Sequence, residues 1–171
     1  LVFLAGLAVL PPVNEIHKQL ILLGFALFQL FEGRLLARWP RGGRTVAVVV
    51  KIALATLLIG HTGQLAINSR YYPIFYVPVV TAAMLFRPWA ALGWTAAASA
   101  AYCAYLWPAL RYFSFDATAR DELALRVFFF FLLAVIINRF VMDRETADLR
   151  MREAQAQART AERLAALGQL S

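Results

Sequence analysis

Charged residues are scarce in this sequence and cysteine is nearly absent. Asp, Glu, Lys and Arg make up 16% of the 171 residues, against about 25% in an average soluble domain. The single cysteine, Cys103, excludes an internal disulfide framework and a cysteine-rich metal site. No Gly-rich nucleotide motif occurs, since the pair Gly42-Gly43 is predicted to be only part of a loop. No Ser/His/Asp or paired-carboxylate pattern indicates a catalytic site.

Apolar residues take the place of the missing charge. They form 61% of the chain, which has a mean hydropathy of +0.64, whereas soluble domains contain about 45–50% apolar residues. Apolar runs of about membrane-spanning length recur between short breaks that contain Arg or Pro. The pattern predicts an all-α, polytopic membrane protein with the lipid bilayer as a partner. The net charge of +7 is then explained by basic residues that set the membrane topology and contact anionic lipid head groups. We expect no nucleic acid partner.

About six transmembrane helices are predicted. Residues 1–10 are apolar but too short to span, and they lack the basic leading segment of a signal peptide. We interpret them as the outer half of a first helix, which the Pro11-Pro12 pair ends. Five spans follow at 16–37, 45–67, 71–86, 89–107 and 122–141. Five spans in total is the alternative, if residues 1–10 only lie on the outer surface.

The distribution of arginine predicts the orientation of these spans. Four arginines crowd the turn between the second and third spans, which places that turn in the cytoplasm: Arg34, Arg38, Arg41 and Arg44. Alternation then puts Arg87 and all residues after Arg139 on the cytoplasmic side. Three arginines of the predicted outer loops disagree with the rule: Arg70, Arg111 and Arg120.

The predicted fifth span is rich in small residues. Gly93, Ala97 and Ala101 recur at four-residue steps, so they share one helix face that another helix could approach closely. We expect this face to pack within the chain or in a dimer. A ligand groove is the less favoured alternative.

The composition changes abruptly at the end of the last span. Residues 142–171 are rich in Arg, Glu, Gln and Ala, so one helix is expected to continue from the sixth span into the cytoplasm. Its heptad pattern is irregular, because Leu149 and Ala156 share one frame whereas Leu164 and Leu167 share another. This predicts a marginal coiled coil whose seam could change register.

The last ten residues, ERLAALGQLS at 162–171, resemble the entry to the dimerisation helix of bacterial sensor histidine kinases. The segment YYPIFYVPVVTAAMLFRPWAALGWTA at 71–96 is similar to the multi-span sensor regions of such kinases. The resemblance implies a homodimeric sensor region in the bacterial inner membrane. A response regulator is implied as partner of the full-length parent protein.

The histidine box and the ATP-binding domain of that family are absent from this sequence. The chain itself is therefore expected to be no enzyme and to hold no cofactor, and ATP and Mg²⁺ are implied only for the missing kinase core. Two alternatives stay open. One is a small transporter or channel, and the other is a sensor region with a different output, such as a cyclic-dinucleotide synthase.

Two opposite charges are predicted at similar depth in adjacent antiparallel spans. Glu32 lies near the inner end of the second span and Lys51 near the inner start of the third. Charges at membrane depth are costly, so the two side chains could form an ion pair. The alternative is that both extend to the head groups.

Further titratable groups are predicted in the outer portions of the spans. Glu15, His17, His61 and Cys103 could bind a metal or respond to external pH, although no motif spacing supports a site. The outer mouth is predicted to contact a small external or membrane-borne signal. The residues proposed for that contact are Asn68, Arg70, Tyr71, Tyr72 and the loop at 111–121.

Overall fold

The computed structural model describes residues 16–40, 42–60, 71–104 and 117–168, and all regular structure in these ranges is helical. This confirms the all-α class. The helices are α1 (Ile16–Arg38), α2 (Gly42–Gly60), a 3-10 helix η1 (Tyr72–Phe75), α3 (Tyr76–Leu85), α4 (Pro88–Ala104) and α5 (Ala117–Gly168).

Among the described residues, three helices are long and apolar enough to cross a membrane. They contain the segments His17–Arg38, Gly42–Gly60 and Arg120–Thr160. Large apolar side chains cover their outward faces, as Leu23 on α1 and Phe128 on α5 illustrate with exposures of 53% and 59%. An outer surface of this kind suits lipid better than water.

The helices predicted as the fourth and fifth spans are shorter. η1 has 4 residues and α3 has 10, so the two together extend about 23 Å. The hydrocarbon core of a bilayer is about 30 Å thick. α4 contains 17 residues and extends about 25 Å. The predicted first span at 1–10, and the predicted ends of the third and fifth spans, lie outside the described residues.

Close backbone approach shapes the hairpin between α1 and α2. The Gly43 N–H donates to the Trp39 carbonyl at 2.7 Å, and the Trp39 N–H donates to the Leu35 carbonyl at 2.9 Å. A Cβ atom on Gly43 would lie 3.1 Å from the Leu35 carbonyl oxygen, and one on Gly42 would collide with the Trp39 ring. The interpretation of Gly42-Gly43 as a loop pair was wrong. The two glycines form the first turn of α2, where their lack of a side chain admits α1.

α3 lies at the centre of the bundle. It packs against α2, α4 and α5, whereas α1 packs against α2. η1 also contacts α2, and Leu58 and Ile59 at the end of α2 belong to the same buried cluster as Ile74 and Phe75 of η1, whereas Lys51 at the middle of α2 meets Thr81 of α3. α2 and α3 are therefore antiparallel, and the α1–α2 turn lies at the same end of the bundle as the α3–α4 turn.

One face of α5 joins the core. Phe130, Ala134 and Asn138 are spaced by four residues and are 0%, 1% and 6% exposed. Phe130 and Ala134 belong to the buried cluster that contains Phe75 and Tyr102, whose ring centroids lie 5.4 Å apart. Asn138 lies one turn farther along α5 and contacts the end of α3. The phenylalanine run of α5 thus divides between core and outer surface.

The continuation of the last span into a helical tail is confirmed. α5 is one helix of 52 residues, about 78 Å long. It begins at Ala117, so positions 117–121 of the loop predicted at 111–121 are helical and the helix starts five residues before the predicted sixth span. Leu149 and Ala156 are exposed on the tail. Leu164 and Leu167 are helical, but the structure does not describe their side chains. The coiled-coil seam on the tail therefore stays a prediction.

The small-residue face of α4 points out of the bundle. Gly93 and Ala97 are exposed and Ala101 is half-buried, whereas Thr95 and Ala98 lie on the buried face. A Cβ atom on Gly93 would meet nothing within 4 Å. Gly93 and Ala97 have no packing partner among the described residues, because α4 turns its Thr95 side toward its neighbours. Packing in a dimer stays a prediction.

Candidate functional site

A buried ion pair joins three helices of the bundle. Lys51 Nζ on α2 donates to Glu32 Oε2 on α1 at 2.7 Å and to Thr81 Oγ1 on α3 at 2.8 Å. Lys51 is 0% exposed and Glu32 is 8% exposed. The structure therefore shows the ion pair and not the alternative in which both side chains extend to the head groups.

The position of Lys51 on α2 explains its burial. It shares a helix face with Val48, Ala55 and Leu58, all of which are 0% exposed. Removing one member of a buried pair leaves an uncompensated charge in an apolar environment, at a cost of about 3–5 kcal/mol. The pair is thus a strong constraint on how α1, α2 and α3 sit together.

Thr81 completes this site. Its Oγ1 atom donates to the Val77 carbonyl at 2.8 Å and accepts from Lys51. Because the hydroxyl proton is used within α3, a lone pair of the oxygen points to the lysine. We call Glu32, Lys51 and Thr81 the ionic site.

A second polar contact lies where α5 leaves the bundle. Asn138 Nδ2 donates to the Ala83 carbonyl at 2.8 Å and to the Phe86 carbonyl at 2.9 Å. The last carbonyls of a helix have no partner within it. Asn138 of α5 therefore caps the C-terminal end of α3, and its 6% exposure keeps water from replacing it.

A third polar contact lies toward the other end of α5. Arg126 Nη1 donates to the Tyr102 hydroxyl at 2.9 Å, and the guanidinium carbon lies 4.4 Å from the centroid of the Tyr72 ring. Glu122, one turn earlier on α5, accepts a long 3.4 Å hydrogen bond from the same guanidinium. A cation over a tyrosine face is stabilised by about 0.5–2 kcal/mol. This contact joins α5 to η1 and α4.

The two contacts on α5 lie far apart along its axis. Arg126 and Asn138 are separated by 12 positions, which is about 18 Å in an α-helix. One binds α4 and η1, and the other binds the end of α3. Rotation or translation of α5 against the bundle must therefore break hydrogen bonds at two levels. These contacts hold α5 in one register and one rotation against the bundle.

The structure brings together only part of the predicted outer groups. Tyr71 is buried, Tyr72 lies under Arg126, Cys103 is half-buried and His17 is exposed on the first turn of α1. The predicted residues that lie outside the described ranges are Glu15, His61, Asn68, Arg70 and the loop positions 111–116. Among the described residues no three His, Cys, Asp or Glu side chains form a metal site. Metal binding stays a prediction because it involves Glu15 and His61.

Sequence reasoning missed four residues of these contacts: Thr81, Tyr102, Arg126 and Asn138. Arg126 and Asn138 carried a signal, since each interrupts an apolar run at membrane depth as Glu32 and Lys51 do. Thr81 and Tyr102 carried none. Hydroxyl side chains are common in apolar helices, and only packing shows which of them receives a partner.

Comparison with known proteins found no match: the chain matches no protein-family model, no curated protein and no solved structure.

Proposed function

We propose that this chain is the membrane sensor and signal-transmitting region of a bacterial two-component histidine kinase. The observation that supports the proposal is α5, a single helix that is bound to the bundle at Arg126 and Asn138 and continues to Gly168. Its end contains the sequence ERLAALG, which resembles the entry to the dimerisation helix of that family. A rigid helix can carry a change in bundle packing to a kinase core attached beyond it.

The proposal includes a membrane orientation. Arg34, Arg38 and Arg44 flank the α1–α2 turn, and Arg87 and Arg139 lie at the level of the α3–α4 turn, so the described basic residues of these turns share one end of the bundle. By the positive-inside rule that end faces the cytoplasm, as does the tail. Six spans across the inner membrane, with residues 1–10 in the first, complete this proposed topology.

Single-cysteine labelling in intact cells tests the orientation. In a Cys103→Ser background, Gln157→Cys and Thr45→Cys should resist an impermeant thiol reagent until the cells are permeabilised, and Ser114→Cys should react at once. Thr45 is exposed, whereas a side chain at Gly42 would collide with Trp39 and disturb the turn under test. Reaction at Gln157 but not at Ser114 in intact cells would invert the topology.

The proposed mechanism is a two-state movement of α5. A stimulus that binds the two states with different affinity shifts their populations, and couplings of this kind are typically about 1–3 kcal/mol. The hydrogen bonds of Arg126 and Asn138 are of this size, at about 0.5–3 kcal/mol each. Exchange of these bonds for alternatives one position along the helix would be within reach of a signal.

A fusion with controlled helix phase tests transmission. The chain is joined at ERLAALGQLS to the catalytic core of a histidine kinase, and one to seven alanines are inserted after Gln155. Each residue rotates the following helix by about 100°, so seven residues nearly restore the phase. Autophosphorylation in membranes should change most with insertions of one, two, five or six alanines, return part of the way with three or four, and be nearest the uninserted value with seven.

The matched control places the same insertions in a fusion that lacks residues 1–141. Its output should not follow the helical period, because no bundle is left to hold the phase. If the full fusion is also indifferent to insertion length, α5 does not transmit helix phase and the proposed function loses its support. Vesicle uptake of an ion or solute by the purified chain would favour the transporter instead.

A further inference from the structure

The inner end of α1 carries an open groove with an unusual lining. Its walls are Phe31, Arg34, Leu35, Arg38 and Trp39, and its volume is about 610 Å³. The apolar members lie at both ends, and the two arginines lie on one helix face, four residues apart. The groove therefore combines an apolar floor with two adjacent guanidinium groups.

These two arginines have no acidic partner in the part of the chain that the structure describes. Glu32, the nearest carboxylate in sequence, is buried on another face of α1 and is paired with Lys51. After Glu32 the sequence contains no Asp or Glu until Asp116. No carboxylate of the described chain neutralises this groove, and at a membrane surface anionic head groups are available to do so.

The side chains that frame the groove are held in place. The Arg34 guanidinium lies 5.4 Å from the centroid of the Phe31 ring, a cation–π contact that directs it along the helix. The Trp39 ring packs against Gly42 and occupies the space that a Cβ atom at that position would need. Trp39 is 58% exposed and Phe31 is 52% exposed, so both rings keep apolar surface for a ligand.

The spacing along the helix axis suits a phospholipid. Phe31 and Arg38 are separated by about 10 Å along α1, with Phe31 nearer the middle of the helix and Arg38 at its last turn. Acyl chains would contact Phe31 and Leu35, while the phosphate would accept hydrogen bonds from Arg34 and Arg38. Arginine forms bidentate bonds with phosphate, and tryptophan is favoured at the head-group level.

We infer that the groove of Phe31, Arg34, Leu35, Arg38 and Trp39 is a binding site for a phospholipid with a net negative head group. The inference uses the membrane orientation proposed above but not the kinase assignment. A negative result in the lipid experiment therefore leaves the phase experiment on the fusion untouched, and the reverse also holds.

Competition between lipids in native mass spectrometry tests the site. The purified chain in detergent receives equal amounts of phosphatidylglycerol and phosphatidylcholine of different mass, and the lipid adducts are counted. The unaltered chain should retain phosphatidylglycerol in preference. The double substitution Arg34→Gln and Arg38→Gln should lower that preference about tenfold or more, because it removes both charged donors.

A charge-matched control separates a site from general attraction. Arg150→Gln with Arg152→Gln removes the same charge from exposed positions on the tail and should keep the preference. Arg34→Lys with Arg38→Lys keeps the charge, so it should retain part of the preference even if the glutamine variant fails to fold. Phe31→Ala should weaken retention of both lipids.

Three results would overturn the inference. They are an unchanged preference in a folded glutamine variant, an equal loss in the tail control, and displacement of the lipid by inorganic phosphate alone. The last would show an anion site without a lipid. Helical circular dichroism and the elution volume in detergent establish that each variant is folded.

Discussion

Asn138 on α5 donates hydrogen bonds to the carbonyls of Ala83 and Phe86, 55 and 52 residues away in sequence. The Asn138 side chain of α5 thus supplies hydrogen-bond donors to carbonyl groups at the C-terminal end of α3. α5 and α3 are consequently coupled at the level where the chain is proposed to enter the cytoplasm.

Replacement of Asn138 should weaken this coupling. Asn138→Ala removes the donor from the buried Ala83 carbonyl and the partly buried Phe86 carbonyl, and an unsatisfied buried group costs about 1–3 kcal/mol. The free energy of unfolding, measured in mixed micelles by titration with a denaturing detergent, should fall by about that amount. Ile136→Ala is the matched control, since Ile136 is 54% exposed on the same helix and should cost less. Equal losses in the two variants would show that the cap contributes nothing.

The ion pair of Glu32 and Lys51 should show strong coupling in a double-mutant cycle. Lys51→Met alone leaves a buried carboxylate without its cation and should cost about 3–5 kcal/mol of unfolding free energy. The double variant with Glu32→Gln removes both charges and should recover part of that loss. The interaction energy is expected to exceed about 1 kcal/mol.

The exposed pair Arg139–Asp143 provides the comparison for this cycle. Its side chains are 80% and 67% exposed at a separation of 3.5 Å, so its interaction energy should be within about 0–1 kcal/mol. If the two cycles give equal values, burial does not strengthen the pair on α1 and α2.

Thr81 should matter through its oxygen and not through its size. Thr81→Val removes an acceptor from the buried Lys51 ammonium and should lower the unfolding free energy by about 1–3 kcal/mol, whereas Thr81→Ser should restore much of it. Thr56→Val is the control, because the Thr56 hydroxyl donates at 2.8 Å to the Ile52 carbonyl of its own helix. A valine at position 81 as well tolerated as one at position 56 would contradict the geometry of the ionic site.

The Arg126 contact can be divided into its two parts. Tyr102→Phe removes the hydroxyl acceptor and keeps the ring, and should cost about 1.5–3 kcal/mol for a hydrogen bond to a charged group. Tyr72→Leu removes the ring face and should cost about 0.5–2 kcal/mol. Arg126→Met should cost at least as much as either. If Tyr102→Phe leaves the unfolding free energy unchanged both in the unaltered chain and in the Arg126→Met variant, the 2.9 Å hydrogen bond does not contribute to stability.

The tail should dimerise through one face. Leu149 and Ala156 are exposed and seven residues apart, so cysteines at these positions should cross-link between subunits in membranes under mild oxidation. A cysteine at Met151, which is 57% exposed and about 200° around the helix from Leu149, is the control and should cross-link less. Equal cross-linking at all three positions would indicate random collision and not a seam.

Local pattern predicted the positions of several helices but not all of their bounds. The apolar runs and the Arg-rich breaks predicted α1 at 16–37, and it spans Ile16–Arg38, because apolar length and helix-breaking residues act over a few neighbouring positions. The helix-forming composition after position 142 likewise predicted the unbroken continuation of α5. The depth of Glu32 and Lys51 followed from the same count along each helix.

Only the tertiary structure decided which of these side chains meet. Lys51 could have turned toward the head groups, and its burial follows from the rotation of α2 between α1 and α3. The face of Gly93 and Ala97 was predicted to pack within the chain or in a dimer, and the rotation of α4 points it outward from the described helices. Helical periodicity determines which residues share a face. The neighbour that each face contacts depends on contacts between segments distant in sequence, such as that of Asn138 with Ala83, and no local pattern contains them.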